Sequence, residues 1–153
     1  MIASMLSHSD TPAVAIQVSR DLVVASIQIQ LDDDVLARFQ QDLLQRVHGG
    51  ESRGVILDLS GLEILDSHEL DALRRIINMV AIMGVQTVLV GLRPGVVSSL
   101  MEAGADVDGL CAAINLDAAF DLFESQSAES AQADEEPAEP GSSSRSDQVV
   151  PGD

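Results

Sequence analysis

The chain has no tryptophan, no tyrosine and no lysine, and aromatic residues make up only 2% of its 153 positions. Without lysine there can be no Schiff-base chemistry, no lysine general base and no phosphate-loop lysine. The scarcity of rings, together with a formal net charge of -17, excludes the basic, base-stacking surface of a nucleic-acid binder. Cysteine occurs once, as Cys111, inside the apolar run from Leu110 to Ile114. It can form no internal disulfide and reads as an inert buried thiol in an intracellular setting. The three histidines, His8, His48 and His68, have no metal-ligand spacing to one another or to Cys111, so neither a metal nor a cofactor is expected. Long hydrophobic runs are missing too. The most apolar stretch, Ile76 to Leu92, is interrupted by Asn78, Gly84, Gln86 and Thr87, and a membrane span needs roughly 20 predominantly apolar residues. Met1 to Thr11 lacks the basic start of a signal peptide. The expectation is a cytoplasmic protein with neither membrane nor nucleic acid as a partner.

What is present is aliphatic. Apolar residues make up 46% of the chain, enough for one domain with a core of Val, Ile, Leu and Ala. After a loose lead-in over residues 1–12, Val14, Ile16 and Val18 alternate with smaller or polar residues, as in a half-buried strand. Ser19-Arg20-Asp21 marks a turn. A second run follows, with Val23, Ala25, Ile27, Ile29 and Leu31 on one face, and together the two suggest a hairpin. Asp32-Asp33-Asp34 places negative charge where a helix N-terminus attracts it. Leu36, Phe39, Leu43 and Val47 then recur at helical spacing up to Gly49-Gly50. Gly54 to Ser60 reads as a strand apolar on both faces, which belongs inside a sheet.

Asp66 opens a second helix striped by Leu70, Leu73, Ile77 and Val80, and Val85 to Val90 is the next buried strand. Pro94 starts a third helix carrying Val97, Leu100 and Met101. A short strand near Cys111–Ile114 and a last helix from Asp117 to about Glu124 complete the series. The alternation predicts an α/β fold: a mostly parallel or mixed sheet of about five strands, packed with about four helices. From Ser125 onward Ser, Ala, Glu, Pro and Gly dominate. Residues 125–153 therefore read as a disordered acidic tail behind a domain of residues 13–124.

The informative segment runs from Leu57 to Leu70, out of a buried strand, through a short loop and into a helix. Asp66 can accept a hydrogen bond at the helix start and Glu69 can reach back to it, as in a capping box. Ser67 then falls in the first turn with its hydroxyl facing solvent. Ordinary capping is the favoured reading of Asp66 and Ser67 over function, and spacing by itself does not reveal a phosphosite. Other groups have plainer readings: the Gly91-Leu92-Arg93-Pro94-Gly95 loop as a strand-to-helix turn, and Asp32 to Asp34 and Asp106/Asp108 as solvated acidic ends.

Asp58-Leu59-Ser60-Gly61, then Asp66-Ser67 opening a helix, then Gly91-Leu92-Arg93-Pro94, set in this element order, resemble the STAS family. That family comprises sulfate-transporter C-terminal domains and bacterial anti-sigma-factor antagonists. Within it the resemblance is to the RsbS-like scaffold branch of the stressosome, and it covers about Ala13 to Glu124. The resemblance implies a STAS fold and no enzymatic activity. It implies phosphorylation of Ser67, the residue directly after that Asp, by an RsbT-type serine kinase, with a serine phosphatase to reverse it. Asp66, His68 and Glu69 would be the partner-binding neighbours, and RsbR-type STAS paralogues would be assembly partners in a homo- or hetero-oligomer. The simpler antagonists continue with a second hydroxyl residue and Gly-Leu, where this chain has His68 and Glu69. The departure favours a scaffold that sequesters the kinase over a direct anti-sigma factor antagonist regulated at the same serine. A phosphohistidine carrier through His68 is the alternative from a different class.

Overall fold

The computed structural model describes residues 14–50 and 52–134. Strands β1 (Val14–Ser19) and β2 (Leu22–Ile27) pair antiparallel, with Val14 opposite Ile27 and Ser19 opposite Leu22. Only Arg20 and Asp21 connect them, and both take positive φ, 53° and 62°. A two-residue connection of that hand matches the twist of a hairpin. From β2 the chain winds through α1 (Asp33–Gly49), β3 (Gly54–Asp58), α2 (Ser67–Ile82), β4 (Gln86–Val90), α3 (Pro94–Glu102) and β5 (Ala112–Ala113) to α4 (Leu116–Asp134). Strands β2 to β5 are parallel, and the sheet order is β1-β2-β3-β4-β5.

Successive parallel crossovers in one direction and of the usual right hand carry their helices to one face. Accordingly α1, α2 and α3 share a core with the sheet, where Phe39, Leu43, Leu73, Val80 and Leu100 meet Val23, Ala25, Val55 and Leu57. Among the described residues the other face is covered by α4 alone. Ala119, Phe120 and Phe123 pack there on Leu22, Val24, Ile56, Val88 and Val90. Gly54 belongs to that contact, because a Cβ there would run into the Phe123 ring.

Several sequence expectations are corrected. β2 is buried on both faces rather than half-buried, because α4 covers the side that Leu22 and Val24 occupy. It ends at Ile27, and Ile29 is 44% exposed although it continues the alternating run. In α2 Ile77 packs against the core only partly buried, and the buried stripe takes in Ile76. In α3 it uses Val96 and Leu100, which leaves Val97 and Met101 outside. The last helix passes Glu124 and continues to Asp134. Residues 125–134 contain no Gly or Pro, and their three Ala, two Gln and one Glu favour helix where nothing is buried. Arg53 also reaches Ser127 Oγ at 2.7 Å. The expected tail over 125–153 is therefore helical in its first ten residues, and the rest lies outside the described residues.

Candidate functional site

β3 is buried through Leu57 and emerges at Asp58, whose Oδ1 accepts the Ser60 N–H at 3.0 Å. The Leu59 N–H still donates to the Val90 carbonyl, and the Leu62 N–H closes a turn on the Leu59 carbonyl. Leu59, Leu62 and Leu65 are all buried, so every third residue anchors the loop while Gly61, Glu63 and Ile64 face out. Two close approaches clamp it. A Cβ on Gly61 would come within 2.8 Å of Gln28 Cα at the end of β2. Gly91 has φ +74°, and a Cβ there would press on Ser60 Cβ at 2.8 Å and Asp58 Oδ1 at 3.0 Å. Glycine alone meets both demands at position 91. Arg93 Nε then donates to the Ser60 carbonyl at 2.9 Å, tying the β4–α3 turn to the loop.

The loop delivers a fully capped helix. Asp66 Oδ1 accepts the Glu69 N–H at 2.7 Å, and Glu69 Oε2 accepts the Asp66 N–H at 3.0 Å. Two of the otherwise unpaired donors at the helix start are thereby satisfied. Glu69 is only 5% exposed, so it is corrected from a partner-facing residue to the residue that sets the cap. Ser67 is the first residue of α2 and is half-buried. Among the described residues no hydrogen bond engages its hydroxyl.

His68 is exposed, and its Nε2 lies 3.3 Å from Asp33 Oδ1, joining the first turns of α1 and α2. Asp32 is spent on capping α1, where it accepts the Val35 N–H at 2.8 Å. Structure thus brings Asp66, Ser67 and His68 together at the surface beside an acidic helix start. Asp66 Oδ1 is held by the cap. No group of three or more His, Cys, Asp or Glu among the described residues is placed to hold a metal ion. No helix among them is long and apolar enough to cross a membrane.

Sequence reasoning put Ile29 on the apolar face of the second strand and gave Ile64 no role. They are 44% and 73% exposed and line one shallow depression with Gln28, Gln30, Gly61, Leu62 and Glu63. The available signal was that Ile64 falls off the rhythm of Leu59, Leu62 and Leu65.

The family model described as "STAS domain" matches residues 13–116. Among solved structures, a Ser-to-Glu variant of RsbS from Moorella thermoacetica is 30% identical, with a TM-score of 0.65, over 75% of this chain and 97% of that one. A chain from a structure of the stressosome, described as a signal integration and transduction hub, is likewise 30% identical with a TM-score of 0.65, over 74% and 98%. The unphosphorylated anti-sigma factor antagonist SpoIIAA shares the fold at 18% identity and a TM-score of 0.59, over 74% and 97%. No curated protein matches the chain.

Proposed function

The chain belongs to the STAS domain family, and from that premise we propose that it is a non-catalytic scaffold of a stressosome-type complex, switched by phosphorylation of Ser67. The observation that carries the reading is where Ser67 sits. It is the first residue of a helix whose preceding Asp66 is locked in a capping box, on a loop clamped from both sides. A kinase meets there a neutral hydroxyl on a rigid mount. The likeness to RsbS and to a stressosome chain supports the scaffold role.

Phosphorylation adds about -1.5 to -2 charges. The N-terminus of α2 accommodates a phosphate through its backbone N–H groups and dipole. The surroundings do not. Asp33, Glu63, Asp66 and Asp71 are all exposed, and Arg74, the first cation on α2, is turned to Asp106 at 3.4 Å. The new charge therefore acts outward, on the surface that the unmodified loop presents to the kinase, with Asp66 and His68 at its edge. A mismatch of about 1.4 kcal/mol weakens binding tenfold.

The experiment combines this protein with an RsbT-type serine kinase, ATP and an RsbR-type paralogue. Phosphopeptide mapping is expected to place the phosphate on Ser67. Ser67→Ala keeps the kinase bound and unphosphorylated, Ser67→Asp loses it with the fold intact, and sizing shows a large mixed particle. Modification elsewhere, or equal kinase binding by wild type and Ser67→Asp, sinks the switch. A chain that stays monomeric in every mixture sinks the scaffold. Acid-labile phosphate would transfer the role to His68.

A further inference from the structure

The phase of α3 leaves a cavity beside it. Because Val96 and Leu100 turn into the core, Val97 and Met101 are left 44% and 62% exposed. Between them, the start of α2, β4 and the loop after α3 lies a volume of about 270 Å³. Its floor is Leu70, Leu89 and Leu100, and its mouth is Val97, Met101 and Val107. Every side chain lining it is apolar. The mouth is flanked by acids: Glu102 follows Met101, and Asp106 and Asp108 bracket Val107, all three exposed. The wall is fixed in advance. Arg74 pairs with Asp106 Oδ2 at 3.4 Å and also donates to the Asp106 carbonyl, while Asp106 Oδ1 accepts the Asp108 N–H at 3.0 Å.

We propose that this cavity is a binding site for a small amphiphile with an aliphatic body and a cationic head. A cavity of about 150 Å³ accommodates benzene, so the volume here corresponds to a body of about ten carbon atoms. Water inside finds no polar side chain to bond, and displacing it removes apolar surface from solvent at about 25 cal/mol per Å². Arg74 offsets Asp106, but Glu102 and Asp108 make no ion pair among the described residues, so they repel a carboxylate head and attract an ammonium, most strongly at low salt. A single leucine or phenylalanine side chain from a protein partner would leave much of the volume empty, which favours a small molecule. Its occupant would touch the frame of the site from two sides. Leu70 lies one turn along α2 from Ser67, and Leu92, also in the lining, precedes the Arg93 that holds Ser60. Binding itself is independent of the reading of Ser67.

The test titrates the full chain with decylammonium and with decanoate, each below its micelle concentration, at about 20 mM salt. Methyl NMR and thermal unfolding report the binding. Decylammonium is expected to shift the Val97, Met101 and Val107 signals saturably, to raise the unfolding temperature, and to bind about tenfold more tightly than decanoate, a difference of 1.4 kcal/mol. Met101→Trp plugs the mouth at an exposed position and is expected to abolish binding with the rest of the spectrum unchanged. Val107→Trp does the same from the opposite lip should the first variant misfold. Absent or unsaturable shifts, equal affinity for the two head groups, or undiminished binding by a folded plugged variant overturns the proposal.

Discussion

Buried polar atoms decide most at the residue scale. The Glu69 carboxylate is nearly inaccessible because it closes the cap that places Ser67. Glu69→Ala is expected to lower stability by about 1 kcal/mol, read as a lower urea midpoint at unchanged slope. It is also expected to slow phosphorylation of Ser67, whereas an equally destabilising change remote from the loop leaves that rate alone. Thr87 offers the opposite case, since its hydroxyl on β4 is buried with no hydrogen-bond partner among the described residues. Thr87→Val keeps the shape and removes the orphan, so a gain of about 1 kcal/mol in chemical denaturation is expected. A loss would mean that the hydroxyl is satisfied in solution. Gly91→Ala forces a side chain into left-handed backbone against Ser60 and is expected to cost about 1–3 kcal/mol.

Elements were legible where one face is buried and the other is wet. The spacing of Leu36, Phe39, Leu43 and Val47 and the Asp66–Glu69 pair identified α1, α2 and the cap directly, and those four apolar residues are buried. Pattern failed where burial is set by a partner remote in sequence. β2 reads as alternating because nothing local announces that Phe120 and Phe123 will cover its other side. The register of α3 could not be read because nine residues with Val96 and Val97 adjacent fit two phases equally. At the site, the capping pattern was visible, but the outward turn of Ile29 and the burial of Glu69 depend on tertiary contacts. Helix α4 shows the contrast within one element. It is anchored by Phe120 and Phe123 and stands exposed beyond them. Amides of residues 128–134 are expected to exchange with solvent far faster than those of 119–123, since local opening there exposes no core. Equal protection along the helix would reveal a cover over its second half.

The whole molecule is strongly and unevenly charged. Residues 1–123 carry a net -10 and residues 124–153 a net -7, while the ion pairs among the described residues, such as Arg20 with Glu124, are mostly exposed. Screening therefore relieves more repulsion than it costs in attraction. The unfolding temperature is expected to rise between about 0.01 M and 0.5 M sodium chloride, as the screening length falls from about 30 Å to below 10 Å. A falling temperature would mean that local pairs dominate. Arg53, just before β3 begins, meets Ser127 at one pole of the sheet, while Ser60 and Ser67 lie past the ends of the strands at the other. The molecule thus has a heading. Copies arrayed side by side with their sheets aligned would turn every loop from Ser60 to Ser67 one way and the Ser127 turn of every α4 the other. Such a layer has two chemically distinct sides, and an enzyme arriving from the Ser127 side would not meet Ser67.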